Sequence, residues 1–210
     1  MRTENLKLIN VNNNILNMKK IIIILVISLS VYNCKAQVIS LEEANTYFLS
    51  EDEGLPDHVT GVKDINNTLD EFLGVWTLDY NNKHYELTIT KFESMLVDIP
   101  NDILLIKHKI TDNNGVVLDD TTILPNKSPL IMKGWFFLSD NETYLVSYFG
   151  SNSKCGQFGD VIIYIDNDNV LGNEMIFHFD RGHDIINSNE CTAPVTFPFP
   201  IDTFLTFTKQ

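Results

Sequence analysis

Over most of the chain, apolar and polar residues alternate one for one. Tyr85, Leu87 and Ile89 face one way, and Glu86, Thr88 and Thr90 face the other. A period of two is the signature of a strand with one buried face. Such segments occupy residues 75–80, 84–92, 103–110, 116–118, 130–138, 143–149, 160–165, 174–179 and 204–208, and 121–124 continues the strand before it past a kink at Asp119-Asp120. Turn-forming clusters separate them: Asn81-Asn82-Lys83, Asp112 to Gly115, 126–129, 139–142 and 166–169. Residues 150–159 form a glycine-rich loop, and 180–200 have no period. Only the N-terminal part departs from this rhythm. Leu41, Ala44 and Phe48 fall on one helical face, residues 51–62 read as a loop, and 64–72 predict a helical turn capped by Asp64 or Asn66. Eight to ten short strands joined by tight turns predict an all-β fold, a single antiparallel meander closed into a β-barrel with a short N-terminal helical segment. Closure removes the edges that an open meander leaves unpaired.

Ahead of this pattern lies a different one. Met18-Lys19-Lys20 precedes the apolar run 21–31, and Cys34-Lys35-Ala36 precedes Gln37. A basic start, a short apolar stretch and small residues near a cut describe a secretory signal peptide. The run is too short for a spanning helix, which needs about 20 residues. The expected organisation is therefore a signal peptide over 1–36 with its true start at Met18, an N-terminal extension over 37–62, and a β-barrel domain over 63–210. Two processing routes fit: cleavage before Gln37, or lipidation of Cys34, which would anchor the protein to a membrane. The expected location is the periplasm or the extracellular space, or the outer membrane as a lipoprotein.

Charge and cysteines agree with export. Loss of five basic residues and one acidic residue with the leader takes the net charge from −13 to −17. Such a field repels nucleic-acid phosphates, so no nucleic-acid partner is expected. Cys155 and Cys191 remain as a pair and are expected to form a disulfide in an oxidising compartment.

At Gly74-Val75-Trp76 the chain resembles a lipocalin or calycin opening, in which a helical turn leads to Gly-x-Trp on the first strand. The resemblance implies that Trp76 plugs one barrel end and that Lys209 packs over it through a cation–π contact. Residues 63–67 (KDINN), 69–76 (LDEFLGVW), the strand around Leu87-Thr88-Ile89 and the closing LTFTK are also similar to an uncharacterised family of exported flavobacterial proteins, a domain of unknown function. That family usually has Thr where this chain has Val75. The resemblance covers about residues 60–210 and carries over no catalytic residue.

No chemical motif stands out. His58, His84, His108, His178 and His183 show no helical zinc spacing, and no metal or cofactor is expected. Asp166-Asn167-Asp168-Asn169 starts like a calcium loop but continues with Val170 and Leu171 where a ligand and a glycine belong. Asp119-Asp120 and Asp98 with Asp102 are carboxylate pairs of the glycosidase type, with nothing to place either in a cleft. No nucleophile elbow and no phosphate-binding glycine loop occur, so the chain is not expected to be an enzyme. Two functions remain. One is a barrel binding a small apolar or amphipathic ligand. The other is a cell-envelope structural or interaction domain with a filled barrel. The aromatic supply, including Trp135, Tyr144, Tyr148, Phe177, Phe199 and Phe207, serves either.

Overall fold

Asn81 and Asn82 adopt φ of 48° and 60°, the left-handed pair of a two-residue hairpin turn that asparagine tolerates. This turn joins β3 (Gly74–Tyr80) to β4 (Lys83–Leu96) in the computed structural model, which describes residues 20, 37–50, 54–96, 98–166, 173–182, 191 and 195–210. The chain divides into two units, Met1–Gln37 and Val38–Gln210, and the barrel belongs to the second. The leader features at Met18, 21–31 and Cys34 lie outside the described residues, as do Asn167–Asn169 and His183.

The remaining strands are β1 (Gln37–Ser40), β2 (Val59–Lys63), β5 (Ile99–Asp112), β6 (Val117–Asp120), β7 (Met132–Phe137), β8 (Tyr144–Phe149), β9 (Phe158–Ile165), β10 (Glu174–Arg181) and β11 (Phe204–Lys209). Helix α1 spans Leu41–Phe48, capped by Ser40, whose hydroxyl accepts from the Glu43 N–H at 3.1 Å. The strand order is β1-β2-β5-β4-β3-β11-β10-β9-β8-β7, with a further pairing of β7 onto β5. That pairing, Leu105↔Lys133 and Ile106↔Met132, closes an eight-stranded antiparallel barrel of β3–β5 and β7–β11. Within the ring, chain neighbours are sheet neighbours, and β11 returns to β3 through Thr208↔Thr77 and Lys209↔Trp76.

Several elements depart from the sequence expectation. The extension 37–62 contains strands β1 and β2, and β2 joins β5 in parallel through Val62↔Asn101. β4 and β5 run on to 14 residues each, beyond the predicted 84–92 and 103–110. Their outer ends mix polar and apolar residues without a period of two, so alternation fades there. The Lys63 ammonium, bonded to Glu93 and to Asp102 (2.9 Å), ties β2 across both extensions. Residues 121–124 form turns, not a continuing strand. Thr121 there docks on β5 instead, its N–H donating to the His108 carbonyl at 2.8 Å.

The predicted helical turn shortens to a 3-10 turn at Asp70–Phe72. Asp64 anchors it. Its fully buried carboxylate accepts from the Leu69 N–H (3.3 Å), the Thr68 hydroxyl (2.9 Å) and the Lys91 ammonium (2.7 Å). Lys91 also bonds Asp70 at 2.6 Å, which pins this lead-in segment to β4. Burying a carboxylate costs solvation, and these partners offset it.

Inward positions alternate as the period predicts. Tyr85, Leu87 and Ile89 of β4 face Ile110, His108 and Ile106 of β5, and all six are buried. Tyr144, Val146 and Tyr148, then Val161, Ile163 and Ile165, then Met175, Phe177 and Phe179 continue the inner surface around the ring. Asn45 of α1 donates to the Leu138 carbonyl at 3.1 Å and Phe48 meets Phe136 at 5.8 Å, so the helix covers the outer face at β7.

Candidate functional site: the two barrel ends and the mouth cleft

At one end, Trp76 is fully buried and its indole N–H donates to the Phe72 carbonyl at 2.8 Å. The Lys209 ammonium lies 5.1 Å from the Trp76 ring centroid and donates to the Glu71 carbonyl at 2.9 Å. Gly74 has φ +127°, a backbone conformation that favours glycine, and a Cβ there would stand 3.2 Å from Cε of Lys209, close enough that the lysine stem would have to shift. Lysine, tryptophan and glycine thus form one tight knot where β3, β11 and the 3-10 turn meet. Lys209→Met keeps the stem and removes the charge. It is expected to lower stability by about 1 kcal/mol in urea unfolding, with a smaller loss at higher salt.

The opposite end is closed differently. Phe199, from the irregular segment before β11, turns into the barrel and is 2 % exposed. Its ring lies 4.8 Å from Phe177, 5.2 Å from His108, 6.0 Å from Tyr85 and 6.4 Å from Tyr148. One side chain thereby touches β4, β5, β8 and β10. With Phe207 against Tyr85 and Phe177, the aromatic supply fills this part of the lumen with rings. The segment carrying Phe199 is tied down twice. Gln157 donates to the Thr196 carbonyl at 2.8 Å, and Cys155 forms the expected disulfide with Cys191.

A cleft with two lobes opens beside this stopper. The outer lobe, about 520 Å³, lies between Lys83, Ile110 and Leu118 on one side and Ser151, Gln157, Phe197 and Pro198 on the other. The inner lobe, about 180 Å³, is walled by Leu124, Leu130 and Phe149 and reaches His108, Asp120, Thr121 and Tyr148. Asp119 lines both. Local sequence explains its position. Asp112 accepts from the Asn114 and Val116 N–H groups at 2.8 Å each, Gly115 takes φ +80°, and the tight turn lays β6 back along β5. Asp119 then pairs with Ile110 and shares its inward face.

His108 is 1 % exposed, yet polar at both ring nitrogens. Nε2 lies 3.1 Å from the Asp119 carboxylate and Nδ1 lies 3.4 Å from the Thr121 hydroxyl. The hydrogen bond from His108 holds the Asp119 carboxyl below the usual carboxylate range. Tyr148 is 2 % exposed, and its hydroxyl has no hydrogen-bond partner among the described residues. Burial, then the charge of Asp119, pushes its phenol pKa up. The group is a neutral hydroxyl at any working pH.

Several sequence candidates separate. Asp98 and Asp102 do not share a site: Asp102 is engaged by Lys63 and the Asp64 N–H (3.1 Å), and Asp98 sits in a turn with φ +68°. Asp119 enters the cleft, though its partner is a histidine. His178, Asp180 and Arg181 lie on β10, where His178 stacks on Phe204 at 4.4 Å and Arg181 lies over Phe197. No group of three or more potential metal ligands occurs among the described residues. No described helix is long and apolar enough to cross a membrane. A second depression of about 530 Å³, lined by Phe48, Leu55, Pro56, Val59, Leu96 and Ile99, lies on the outside and brings only Asp57 as a charged group.

The fold and these two ends define a closed eight-stranded up-and-down barrel with an aromatic stopper and a polar cleft at its mouth. The chain belongs to DUF6705, a family of unknown function, which it matches over residues 18–210. No curated protein matches it, and no solved structure does.

Proposed function

We propose that this protein is an exported, non-catalytic barrel that binds a small amphipathic molecule in the mouth cleft and not in the lumen. The observation that carries this is the pairing of an occupied lumen with a cleft into which Asp119 and the unsatisfied Tyr148 hydroxyl project. A hydroxyl that lines a cleft and bonds no described protein group is free to bond a polar group of a ligand. Apolar walls around convergent polar groups are the usual make-up of a small-molecule site. A non-catalytic reading draws on the burial of His108, which is 1 % exposed with Nε2 on Asp119. Export is supported by the leader and by the Cys155–Cys191 bridge, which suits an oxidising compartment.

Native mass spectrometry of protein purified gently from its own cells tests this reading. The expected result is a small-molecule adduct on the wild type that is absent from Leu118→Asp, which fills the outer lobe with charge. The same spectra are expected to show a mature N-terminus at Gln37 or a diacylated Cys34. A bare mass for the wild type, or an adduct unaffected in Leu118→Asp, overturns the cleft reading. The second reading, an interaction domain with a filled barrel, draws on the packed lumen and on exposed Val116, Val117 and Leu118 beside β6.

A further inference from the structure

The two lobes of the cleft differ in charge. Among the described residues the inner lobe is lined by two carboxylates, Asp119 and Asp120, and by His108 on Asp119, with no lysine or arginine. Asp120 is fixed by its own turn, accepting from the Thr122 N–H at 2.8 Å and from the Thr122 hydroxyl. Asp119 is fixed by His108, which occupies Oδ2. The nearby Lys107 forms no ion pair with either acid among the described residues; its ammonium donates to the Leu124 carbonyl at 2.7 Å. Lys83 lines only the outer lobe. Tyr148, a residue 2 % exposed, lines the same lobe, and its hydroxyl has no hydrogen-bond partner among the described residues.

Resting on the cleft reading above, we propose that the inner lobe receives the ammonium group of an amphipathic organic amine, held between the Asp119 carboxylate and the Tyr148 hydroxyl oxygen, with its apolar stem lying in the outer lobe. The chemistry favours a cation over the alternatives. An ammonium offers three donors to acceptors only partly used, and it compensates two carboxylates in a partly dry space. A ligand carboxylate would add a third negative charge. A neutral hydroxyl could bond the same two groups but would leave the charge uncompensated. Ile110, Leu118 and Phe197 supply the apolar side of the outer lobe for the stem, and Phe197 presents an aromatic face already used by the Arg181 guanidinium at 5.4 Å. The strongly acidic surface of the mature chain, with a net charge of −17 after loss of the leader, concentrates cations near the mouth.

The test uses three probes of one shape: 4-phenylbutylamine, 4-phenylbutan-1-ol and 4-phenylbutanoate. Each is titrated into the mature protein, with calorimetry for affinity and amide chemical shifts for location. The amine is expected to bind at least about tenfold tighter than the alcohol, with shifts at Asp119, Thr121 and Tyr148, and the carboxylate is expected not to bind. Asp119→Asn is expected to cost the amine about tenfold while leaving the alcohol within about twofold. Tyr148→Phe keeps the ring contact with Phe199 and is expected to weaken the amine about five- to tenfold. Thermal melts confirm that each variant is folded, and if Asp119→Asn is not, Tyr148→Phe alone carries the comparison. Equal binding of amine and alcohol, or an amine insensitive to both substitutions, overturns the ammonium proposal and leaves the cleft reading standing. If no probe shifts a cleft amide, the proposal fails; if the purified protein also carries no native adduct, the cleft reading falls with it.

Discussion

Phe199→Ala is expected to destabilise the barrel by about 3–5 kcal/mol, the range for removing a fully buried phenylalanine ring. The size follows from where the ring sits. It contacts rings on four strands, and none of Tyr85, His108, Tyr148 or Phe177 can move in to fill the space without leaving its own strand register. The vacated volume also joins the stopper site to the mouth cleft. Benzene or toluene should therefore recover part of the loss by occupying the gap, as apolar cavities accept such guests. Urea unfolding with and without the guest measures both effects. Ile123→Ala, at an 81 % exposed position, is the control and should stay within about 0.5 kcal/mol of wild type. A loss below about 1 kcal/mol for Phe199→Ala would show that the ring is not a keystone of this end.

The second large effect concerns the bridge that holds the stopper segment. Replacing Cys155 and Cys191 together by serine is expected to cost about 3–4 kcal/mol, because the loop they close spans a sequence separation of 36. Reduction of the wild type should reproduce the loss in the same unfolding experiment. The two perturbations share one segment, so they should not add. With the bridge cut, Phe199 is held by packing, by Gln157 on the Thr196 carbonyl and by the Asp202 N–H on the Phe179 carbonyl, and the double-mutant cycle should show a coupling of about 0.5–3 kcal/mol. Simple additivity would mean that the bridge stabilises some other part of the chain.

Much of the barrel is legible in the sequence because its inner face obeys a strict period. Tyr85-Leu87-Ile89 and Met175-Phe177-Phe179 need no other information to be placed. What escapes is where the ring's free edge is shared. β5 receives β6, β7 and β2 along one side, and the mixed stretch 93–102 (ESMLVDIPND), where β2 joins, gives no alternation to read. The Cys155–Cys191 pair is legible from its count and compartment. The mouth cluster is not. His108 reads as a lone histidine in ILLIKHKI, and Asp119-Asp120 read as two acids at a kink. Their meeting depends on the Asp112–Gly115 turn folding β6 back by the right number of residues. One signal was available: with Ile106 and Ile110 facing inward, period two also turns His108 inward, and a buried histidine requires a polar partner. Phe199 gives no signal at all, since its neighbours in 195–203 follow no period.

The seam between β3 and β11 is short, with two register pairs reinforced by Lys209 reaching the Glu71 carbonyl 138 residues away in sequence. Its consequence lies in the order of events during folding. A hairpin such as β3–β4 gains its contacts after fixing only a few residues, whereas the seam gains nothing until the whole intervening chain has been confined. Until then the sheet is a curved ribbon with two bare flanks, one along β3 and one along β11, and either can pair with another chain. The knot of Gly74, Trp76 and Lys209 is therefore a latch as much as a core. It converts an aggregation-prone ribbon into a ring in a single late step, and it makes the first and last strands of the barrel depend on one another for their stability.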